Sequence, residues 1–378
     1  MNARAGIRTA GGVAAGAAAY LAWRALRARN EISLDGRVAL ITGGSRGLGL
    51  LLAREFARNG CRVAICARAE QELERAHRDL EARGTDTLAI VCDVSDRDAV
   101  QRMVDRVIDH FDTLDILVNN AGIIQVGPIE TMTIEDFEEI MAINFWGAVY
   151  ATLAVLPHMR ARAEGRIVNI TSIGAKVAVP HLLPYDCAKF ALRGFSEGLR
   201  AELAEDGIVV TTIVPGLMRT GSPVNALFKG QRAREFTWFS LGDALPFTSM
   251  NAERAARRIA LATRRGEGEV TLSWQARLLG LVHDLFPGTT ADLLGLVNRA
   301  LPDAGPANGT STRGIRLSTP LAPSPLTALM NRAARDYNQL GGASSLSAAR
   351  EAAREAARAP HHLPPRERSP SETRPPTS

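Results

Sequence analysis

The strongest constraint on the fold is a series of seven short runs rich in β-branched residues, separated by longer stretches with helical patterning. The runs are RVALI (37–41), RVAIC (62–66), TLAIV (87–91), DILVN (115–119), RIVNI (166–170), IVVTTIV (208–214) and EVTLS (269–273). Continuous apolar strands that alternate with amphipathic helices predict a parallel sheet covered by helices on both faces. We therefore predict a doubly wound, Rossmann-like α/β fold with seven parallel strands, whose ligands bind at the carboxyl ends of the strands.

A glycine-rich turn follows the first of these strands directly and leads into a helical stretch. Glycines let backbone N–H groups approach a pyrophosphate closely, and a helix N-terminus adds favourable positive potential there. The strand–turn–helix context favours a dinucleotide site over a purely structural loop. The predicted cofactor contacts in this turn are Thr42, Gly43, Ser45, Arg46, Gly47, Leu48 and Gly49.

The spacing of these glycines, Gly-x-x-x-Gly-x-Gly, resembles the turn of the short-chain dehydrogenase/reductase superfamily, and further motifs of that family stand after later strands. Asp93-Val94 closes the third strand, Asn119-Asn120-Ala121-Gly122 follows the fourth, and Pro215-Gly216 with Thr220 follows the sixth. The resemblance implies that Asp93 contacts the adenine ring and that Thr220 holds the nicotinamide carboxamide. It also implies that the Asn-Asn-Ala-Gly motif buttresses the sheet and lines the cofactor cleft. The resemblance covers residues 34–275 and implies an NAD(P)-dependent oxidoreductase.

Tyr185 and Lys189 are separated by four positions, so on a helix they share one face. A phenol with a pKa near 10 is a poor acid or base at neutral pH unless a nearby ammonium stabilises the phenolate. Three of the 45 basic residues are lysines, and an arginine would be too bulky and too firmly protonated for a proton relay. The pair therefore indicates chemistry, with an exposed helical Tyr/Lys pair as the alternative.

The resemblance implies the rest of the catalytic set. Ser172 stands thirteen residues before Tyr185 and resembles the substrate-orienting serine of the family. Asn144, within MAINFWG, resembles the asparagine that supports a water chain to the lysine. In such enzymes the tyrosine exchanges a proton with the substrate oxygen while a hydride passes between the substrate carbon and the nicotinamide. Lys189 would also hold the nicotinamide ribose.

The charges near the second strand predict the cofactor. An acidic residue at the end of that strand would bind the ribose 2′-hydroxyl of NAD, whereas arginine pairs with a 2′-phosphate. The sequence has no acid there and instead places Arg68, with Arg46 inside the glycine turn as a second cation. We therefore predict NADP(H) rather than NAD(H). Because cellular NADPH is usually kept reduced, we also expect reduction of a carbonyl group.

Residues 217–248 fall where the family places its mobile substrate lid. They contain the five aromatic residues Phe228, Phe236, Trp238, Phe239 and Phe247. Aromatic enrichment over a cleft favours a bulky, apolar or lipid-like carbonyl or alcohol substrate. Packing within the lid itself is the alternative.

The chain is predicted to divide into four parts: an apolar and basic N-terminal segment (1–33), the NAD(P)-binding domain (34–275), a helical extension with a linker (276–340) and a low-complexity tail (341–378). The two termini hold the positive charge, because residues 1–33 carry +4 and residues 341–378 carry +2 of a net +5. The body between them has no basic excess, so we expect no nucleic-acid partner.

Residues 9–23 form an uncharged stretch flanked by arginines. A helix of this length reaches about 22 Å, against about 30 Å for the hydrocarbon core of a bilayer. A short signal-anchor with the heavier positive flank on its C-terminal side would keep the body cytoplasmic and tethered to the cytoplasmic face of a membrane. A frayed alanine-rich terminus and a cleaved export signal are the alternatives. No run of 18 apolar residues occurs, which argues against a polytopic membrane protein.

Two other functions stay open. One is a catalytically idle NADP-binding protein that contacts a membrane or a partner through its termini, and the other is an epimerase-like relative. The complete set of Asn144, Ser172, Tyr185 and Lys189 favours an enzyme, since an idle protein has no need of it. A homo-oligomer formed through the helices that carry Asn144 and Tyr185 is also compatible with the resemblance. The four cysteines and the histidines lack metal-ligand spacing, so we expect no metal.

Overall fold

Seven parallel strands form the main sheet of the protein, in a computed structural model that describes residues 31–245, 247–305, 310–322, 324–343 and 347–351. The strands are β1 (Val38–Thr42), β2 (Arg62–Ala67), β3 (Thr87–Val91), β4 (Ile116–Asn119), β5 (Gly165–Ile170), β6 (Ile208–Val214) and β7 (Glu269–Thr271). Their order is β7-β6-β5-β4-β1-β2-β3, and every neighbouring pair is parallel. The predicted doubly wound, seven-stranded fold is thus confirmed. The predicted segment at 9–23 and residues 352–378 of the predicted tail lie outside the described residues.

Helices cover both faces of this sheet. One face carries α1 (Gly47–Arg58), α2 (Glu70–Glu81) and α7 (Ala252–Arg265), and the other carries α3 (Arg97–Phe111), α4 (Ile134–Arg162) and α5 (Leu183–Glu202). The helix α6 (Arg232–Ala244) lies beyond the carboxyl ends of the strands, over the cavity described below.

The run of buried residues in β1 explains the two cores. Ala39 and Ile41 pack with α1 and α7, while Val38 and Leu40 pack with α3 and α4. Successive side chains of a strand point to opposite faces, so a strand buried on both faces must be apolar throughout. The strand order reverses between β1 and β4, and the crevice at this point is where such sheets bind ligands.

Helix α4 is the one described helix that is long and apolar enough, by length and composition, to cross a membrane. It packs against α3 and the sheet, with 56% of its most apolar window buried inside the protein. Burial of this kind is typical of a core helix. A π-helical turn at Ala142–Trp146 interrupts its α-helical hydrogen bonding, a feature that often marks a functional position.

The C-terminal extension contains three helices in its described ranges: α8 (Trp274–Leu285), α9 (Pro287–Asn298) and α10 (Ala328–Asp336). Thr312–Arg313 lies within the predicted linker and pairs antiparallel with Leu227–Phe228 as an edge strand of a small second sheet. Ala333 of α10 and the following Tyr337 belong to the same hydrophobic core as α1 and α7. The end of the extension therefore packs against the body of the fold.

Candidate active site

One cavity of about 770 Å³ opens at the carboxyl ends of the strands. Thr42 and Asn144 lie outside its wall, and the remaining predicted site residues line it. Those lining residues are Gly43, Ser45, Arg46, Gly47, Leu48, Gly49, Arg68, Asp93, Val94, Asn120, Ala121, Gly122, Ser172, Tyr185, Lys189, Pro215, Gly216 and Thr220. Residues spread over more than 170 positions of the chain therefore meet at one site.

The glycine turn after β1 has no room for side chains at two of its positions. Gly43 has φ +66°, and a Cβ added there would lie 2.9 Å from the Cα of Ala121. A Cβ on Gly49 would lie 2.1 Å from the carbonyl oxygen of Gly43. The turn is therefore held tightly around the N-terminus of α1. A bare-backbone cradle of this kind fits the pyrophosphate of a dinucleotide.

Thr42 and Asn120 hold the turn against the loop after β4. The Thr42 hydroxyl oxygen accepts hydrogen bonds from the backbone N–H groups of Asn120 and Ala121, both at 3.0 Å. The side-chain amide of Asn120 donates back to the carbonyl oxygens of Thr42 and Gly43 at 3.0 and 3.3 Å. Asn119 instead points into the sheet and donates to Asn169 at 2.8 Å. The two asparagines thus fix the two walls of the crevice relative to each other.

Both predicted arginines lie at one end of the cavity, and each faces a carboxylate. Arg46 Nη1 lies 2.6 Å from Glu72 Oε2 in a half-buried ion pair, whereas Arg68 lies 3.5 Å from Asp93 at a more exposed position. Burial opposes ionisation of Asp93, but hydrogen bonds from Ser95 lower its pKa on balance. This end of the cavity therefore offers two guanidinium groups to an anion, Arg46 paired closely with Glu72 and Arg68 more loosely with Asp93.

Tyr185, Lys189 and Ser172 meet at the opposite end of the cavity. Tyr185 shares a hydrogen bond with Ser172, and the ammonium nitrogen of Lys189 lies 5.6 Å from the centre of the tyrosine ring. Lys189 is buried and donates to the carbonyl oxygen of Ile170 at 2.9 Å. Burial raises the pKa of Tyr185 to about 12, although the Ser172 hydrogen bond opposes the rise, and burial lowers the pKa of Lys189 to about 8. The lowered pKa of Tyr185 that sequence analysis expects from Lys189 is therefore not found, because burial dominates. At neutral pH the pair is a phenol beside an ammonium.

Asn144 lies in the π-helical turn of α4, behind these groups. Its side chain accepts from the backbone N–H of Ile123 at 2.8 Å and donates to the carbonyl oxygen of the same residue at 3.0 Å. A Cβ on Gly122 would lie 3.2 Å from Asn144 Oδ1 and 3.7 Å from Lys189 Nζ. Asn144 therefore fixes the loop after β4 and lies close to the lysine.

The five aromatic residues of the predicted lid have three different environments. Trp238 and Phe239 of α6 line the cavity. Phe228 and Phe236 are fully buried against each other in an edge-to-face pair with ring centres 5.5 Å apart, and Phe247 is 86% exposed. Two of the five thus face the place a substrate would occupy, and packing accounts for two others.

Sequence analysis did not single out two buried acids that line the cavity. Asp186 follows Tyr185 on α5 and accepts from the backbone N–H of Val179 at 2.6 Å. Burial raises its pKa to about 8. Asp243 of α6 is also buried, and burial raises its pKa well above the ordinary value. No local pattern marks a carboxyl that tertiary packing will desolvate, so the sequence held no signal for either.

Gln339 is a third lining residue that sequence analysis missed, because it lies far along the chain in the C-terminal extension. His181, by contrast, lies next to the site but packs behind it. Its Nδ1 lies 2.9 Å from Glu235 Oε1, and both residues are buried. Glu235 also accepts from Trp238 Nε1 at 2.6 Å, so this network positions an aromatic wall of the cavity.

Comparison with known proteins identifies similar sequences over the part of the chain that carries the site. A family model described as short chain dehydrogenase matches residues 37–227. A dehydrogenase/reductase SDR family protein 7-like from Drosophila melanogaster is 34% identical over 270 residues, which cover 70% of this chain and 81% of that protein. A protein of the same description from Anopheles gambiae is 39% identical over 250 residues, covering 65% and 77%.

Two solved structures are similar to this chain and hold a nicotinamide dinucleotide. The gluconate 5-dehydrogenase from Burkholderia cenocepacia in complex with NADP and tartrate is 29% identical, with a TM-score of 0.57 over 66% of this chain and 97% of that one. An actinorhodin polyketide ketoreductase with NADPH is 28% identical, with a TM-score of 0.56 over 63% of this chain and 96% of that one. In both, the similarity spans nearly the whole of the other protein.

Proposed function

This chain belongs to the short-chain dehydrogenase/reductase family and is an NAD(P)-dependent oxidoreductase, and we propose that it reduces the carbonyl group of an apolar substrate with NADP(H). The observation that carries the proposal is the meeting of Tyr185, Lys189 and Ser172 in the same cavity as the glycine turn. A dinucleotide that places its diphosphate on the turn would have its nicotinamide end toward these three residues. The bound cofactor would supply the hydride.

The catalytic roles follow from the contacts of the side chains. Ser172, which already shares a hydrogen bond with Tyr185, orients the substrate oxygen. Tyr185 gives that oxygen its proton, and the ammonium of Lys189 stabilises the resulting phenolate and binds the nicotinamide ribose. Asn144 supports the proton relay to the lysine, since its side chain holds the loop beside Lys189 Nζ.

Tyr185 is protonated at neutral pH, because burial raises its pKa to about 12. The phenol can therefore donate its proton to the oxygen of a carbonyl substrate. Reduction is the proposed direction because cellular NADPH is usually kept reduced.

NADP(H) is proposed over NAD(H) because Arg46 and Arg68 lie at the end of the cavity away from Tyr185. Guanidinium groups pair with a 2′-phosphate in bidentate fashion, which a ribose 2′-hydroxyl does not offer. Glu72 neutralises part of this charge through its ion pair with Arg46. Two of the similar structures hold NADP or NADPH, and another holds NAD, so the proposal depends on the two arginines.

The apolar substrate is proposed from the walls near Tyr185. The apolar side chains there are Leu182, Trp238, Phe239 and Leu279. Asp186 and Asp243 also line the cavity, and burial raises the pKa of both carboxyls, that of Asp186 to about 8, so a protonated carboxyl there could hydrogen-bond one polar group of the substrate. Steady-state kinetics with short polar and long aliphatic ketones tests this. The long ketones should have the higher kcat/KM, and equal or faster turnover of the polar ones would overturn it.

We also propose that the helical pair α8–α9 contacts a membrane surface at the cytoplasmic face. Exposed apolar side chains cover its outer side: Trp274, Leu278, Leu281, Leu285, Phe286, Leu293 and Leu296. Soluble monomers rarely expose patches of this kind without a partner. The inner side of α8 lines the cavity through Ala276 and Leu279, so a lipid-borne substrate would have a short path inward.

Co-sedimentation of the full chain with phosphatidylcholine vesicles tests the membrane contact. The double variant Leu281→Gln/Leu285→Gln should sediment less than wild type. Val91→Gln, at an exposed position on β3, is the matched control and should leave binding unchanged. Equal sedimentation of the double variant and wild type would refute the contact. The predicted anchor at 9–23 is a separate proposal that cell fractionation of the chain with and without it would test.

A homo-oligomer is proposed through α4 and α5. Trp146, Leu153 and Phe190 are exposed on these helices, as the inner residues of such an interface would be in an isolated chain. Multi-angle light scattering should give a mass above that of one chain. A monomer at micromolar concentration would contradict this.

Direct transfer of label tests the proposed reaction itself. With NADPH deuterated at C4 of the nicotinamide, the alcohol product should carry deuterium on the former carbonyl carbon, measured by mass spectrometry. Hydride transfer in this cavity would be refuted if the product carried no deuterium, whichever face of the nicotinamide held the label.

A further inference from the structure

Four residues that follow α10, Tyr337 to Leu340, lie across the glycine turn, and we call them the strap. The backbone N–H of Gly47 donates to the carbonyl oxygen of Tyr337 at 2.9 Å. The side-chain amide of Asn338 donates to the carbonyl oxygens of Ser45 and Glu72 at 2.8 and 2.9 Å. The end of the chain's extension is thus bonded to the same turn that forms the cofactor cradle.

Asn338 fixes the position of the strap along the turn. It has φ +58°, in the left-handed region that asparagine tolerates better than most residues. Its side-chain oxygen accepts from Arg75 Nε at 2.9 Å. The oxygen and the nitrogen of this amide are therefore both used, which leaves the strap little freedom to slide.

Gln339 ties the strap to the opposite wall of the cleft, the segment that follows β6. Its Nε2 donates to the carbonyl oxygen of Thr220 at 3.1 Å. Asn225 Nδ2 donates to both the backbone oxygen and Oε1 of Gln339, at 3.0 and 2.7 Å. The strap therefore bridges the two walls between which the dinucleotide would lie.

The amide of Gln339 lies directly over the N-terminus of α1. A Cβ on Gly47 would be 2.8 Å from Gln339 Nε2, so the absence of a side chain at Gly47 gives the amide its place. Gln339 is 5% exposed and lines the cavity. A glutamine amide has two N–H groups, and among the described residues Thr220 accepts one of them. The other remains for a ligand.

We propose that Gln339 is a dinucleotide-binding residue: its remaining N–H donates to the diphosphate of the cofactor, and the strap closes the cleft over that group. The inference rests on the proposed function, since it needs a dinucleotide in this cavity. It assigns to the C-terminal extension a part of the cofactor site that the glycine turn alone would otherwise form. The backbone N–H of Gly47 is already bonded to the carbonyl oxygen of Tyr337. The Gln339 amide therefore supplies a hydrogen-bond donor for the diphosphate beside Gly47.

Two substitutions at one position separate a cofactor contact from a structural role. Gln339→Met removes the donor and keeps the length of the side chain. Gln339→Glu keeps an acceptor for Asn225 but places a carboxylate beside the diphosphate. A cofactor contact predicts NADPH affinity in the order Gln, Met, Glu, with a loss of about tenfold or more for Met, the size of one hydrogen bond to a charged group. A structural role predicts instead equal losses for NADPH and for a ligand that lacks the diphosphate, because both variants lose the donor to the Thr220 carbonyl oxygen.

The measurement is fluorescence titration of each full-length variant with NADPH, without substrate. A second titration uses adenosine 2′-monophosphate, which lacks the diphosphate and should bind all variants equally. Gln101→Met, on the exposed side of α3, is the matched control and should leave NADPH affinity unchanged. Thermal unfolding of each variant verifies that it is folded.

A variant of the neighbouring residue tests the closure. Asn338→Gly keeps the positive φ and loses the bonds to Ser45, Glu72 and Arg75, so NADPH should dissociate severalfold faster in a stopped-flow chase. An unchanged dissociation rate would refute the closure.

Affinities within twofold across Gln, Met and Glu, or the order Gln, Glu, Met, would overturn the assignment of Gln339. Equal losses for NADPH and adenosine 2′-monophosphate would also overturn it. If wild type binds NADPH and reduces ketones while the three proteins have equal NADPH affinities, the assignment of Gln339 is wrong and the proposed function stands. If wild type binds no dinucleotide, the proposed function falls with it.

Discussion

Replacing Gly49 with alanine should damage the protein although alanine is the better helix former. Gly49 lies in the first turn of α1, where an added Cβ would be 2.1 Å from the carbonyl oxygen of Gly43 and 2.6 Å from Asn120 Nδ2. An ordinary contact for a Cβ lies at 3.4 Å or more. The overlap exceeds 1 Å and involves backbone, so the glycine turn itself must move.

The magnitude is the difference of two terms. Glycine to alanine within a helix is worth about 0.5–1 kcal/mol of added stability. Forcing an extra carbon into a packed region costs about 1–3 kcal/mol. We expect Gly49→Ala to lower the free energy of unfolding by about 1–2 kcal/mol and to weaken NADPH binding by at least about tenfold, because the displaced amides are those of the cradle.

Gly198→Ala is the matched control. Gly198 is exposed on α5, and a Cβ there would meet nothing within 4 Å. The same substitution should therefore raise stability by about 0.5–1 kcal/mol and leave NADPH affinity unchanged. The two variants differ in the sign of the effect because their surroundings differ.

Urea unfolding gives the stability of both variants, and fluorescence titration gives their NADPH affinity. A Gly49→Ala protein as stable as wild type, with unchanged NADPH affinity, would refute the steric reasoning. A change of the free energy of unfolding in the same direction for both variants would refute it as well.

Three further predictions concern charge. The pKa of Lys189 is about 8, and its ammonium stabilises the phenolate. The value of kcat/KM for carbonyl reduction should therefore be flat below pH 8 and fall about tenfold per pH unit above it. A kcat/KM that stays level to pH 9.5 would contradict this role of Lys189. Glu72→Gln should free Arg46 from its ion pair and tighten NADPH binding by about two- to fivefold. NADH binding should not change, and titrations of the same protein with both cofactors would measure the difference. Equal changes for both cofactors would count against the assignment of NADP(H). Asp115→Asn should lower the free energy of unfolding by about 2 kcal/mol, since Asp115 accepts from the Val38 backbone and Arg162. Those bonds lower the pKa of Asp115 against the opposing effect of burial, so its contribution is present above about pH 4 and is lost as the pH falls toward the folded-state value. Urea unfolding at pH 7 and pH 3 should find a smaller difference between the two proteins at pH 3, and a constant difference would contradict the linkage.

The sheet could be predicted because its signal is local. Every residue of β1 is buried, and four of its five residues, Val38 to Ile41, are apolar, so the run stands out in the sequence. The glycine turn could be predicted for a similar reason, since its function depends on consecutive residues. Tyr185 and Lys189 lie one helical turn apart, which a spacing of four residues reveals without tertiary information.

The rest of the site depends on contacts between distant parts of the chain. Asn338 reaches Ser45 across 293 positions, and Gln339 reaches Thr220 across 119. No periodicity or local motif encodes such contacts. The Arg46–Glu72 ion pair was missed for the same reason: a side chain's partner is set by tertiary packing, not by its sequence neighbours.

The most direct test of the account separates cofactor binding from turnover in a Tyr185→Phe variant. The phenyl ring keeps the shape of the side chain and loses only the hydroxyl that would give the substrate its proton. The account predicts NADPH affinity within about threefold of wild type and a fall in kcat for ketone reduction of at least about a thousandfold. Reduction at a rate near that of wild type would contradict it.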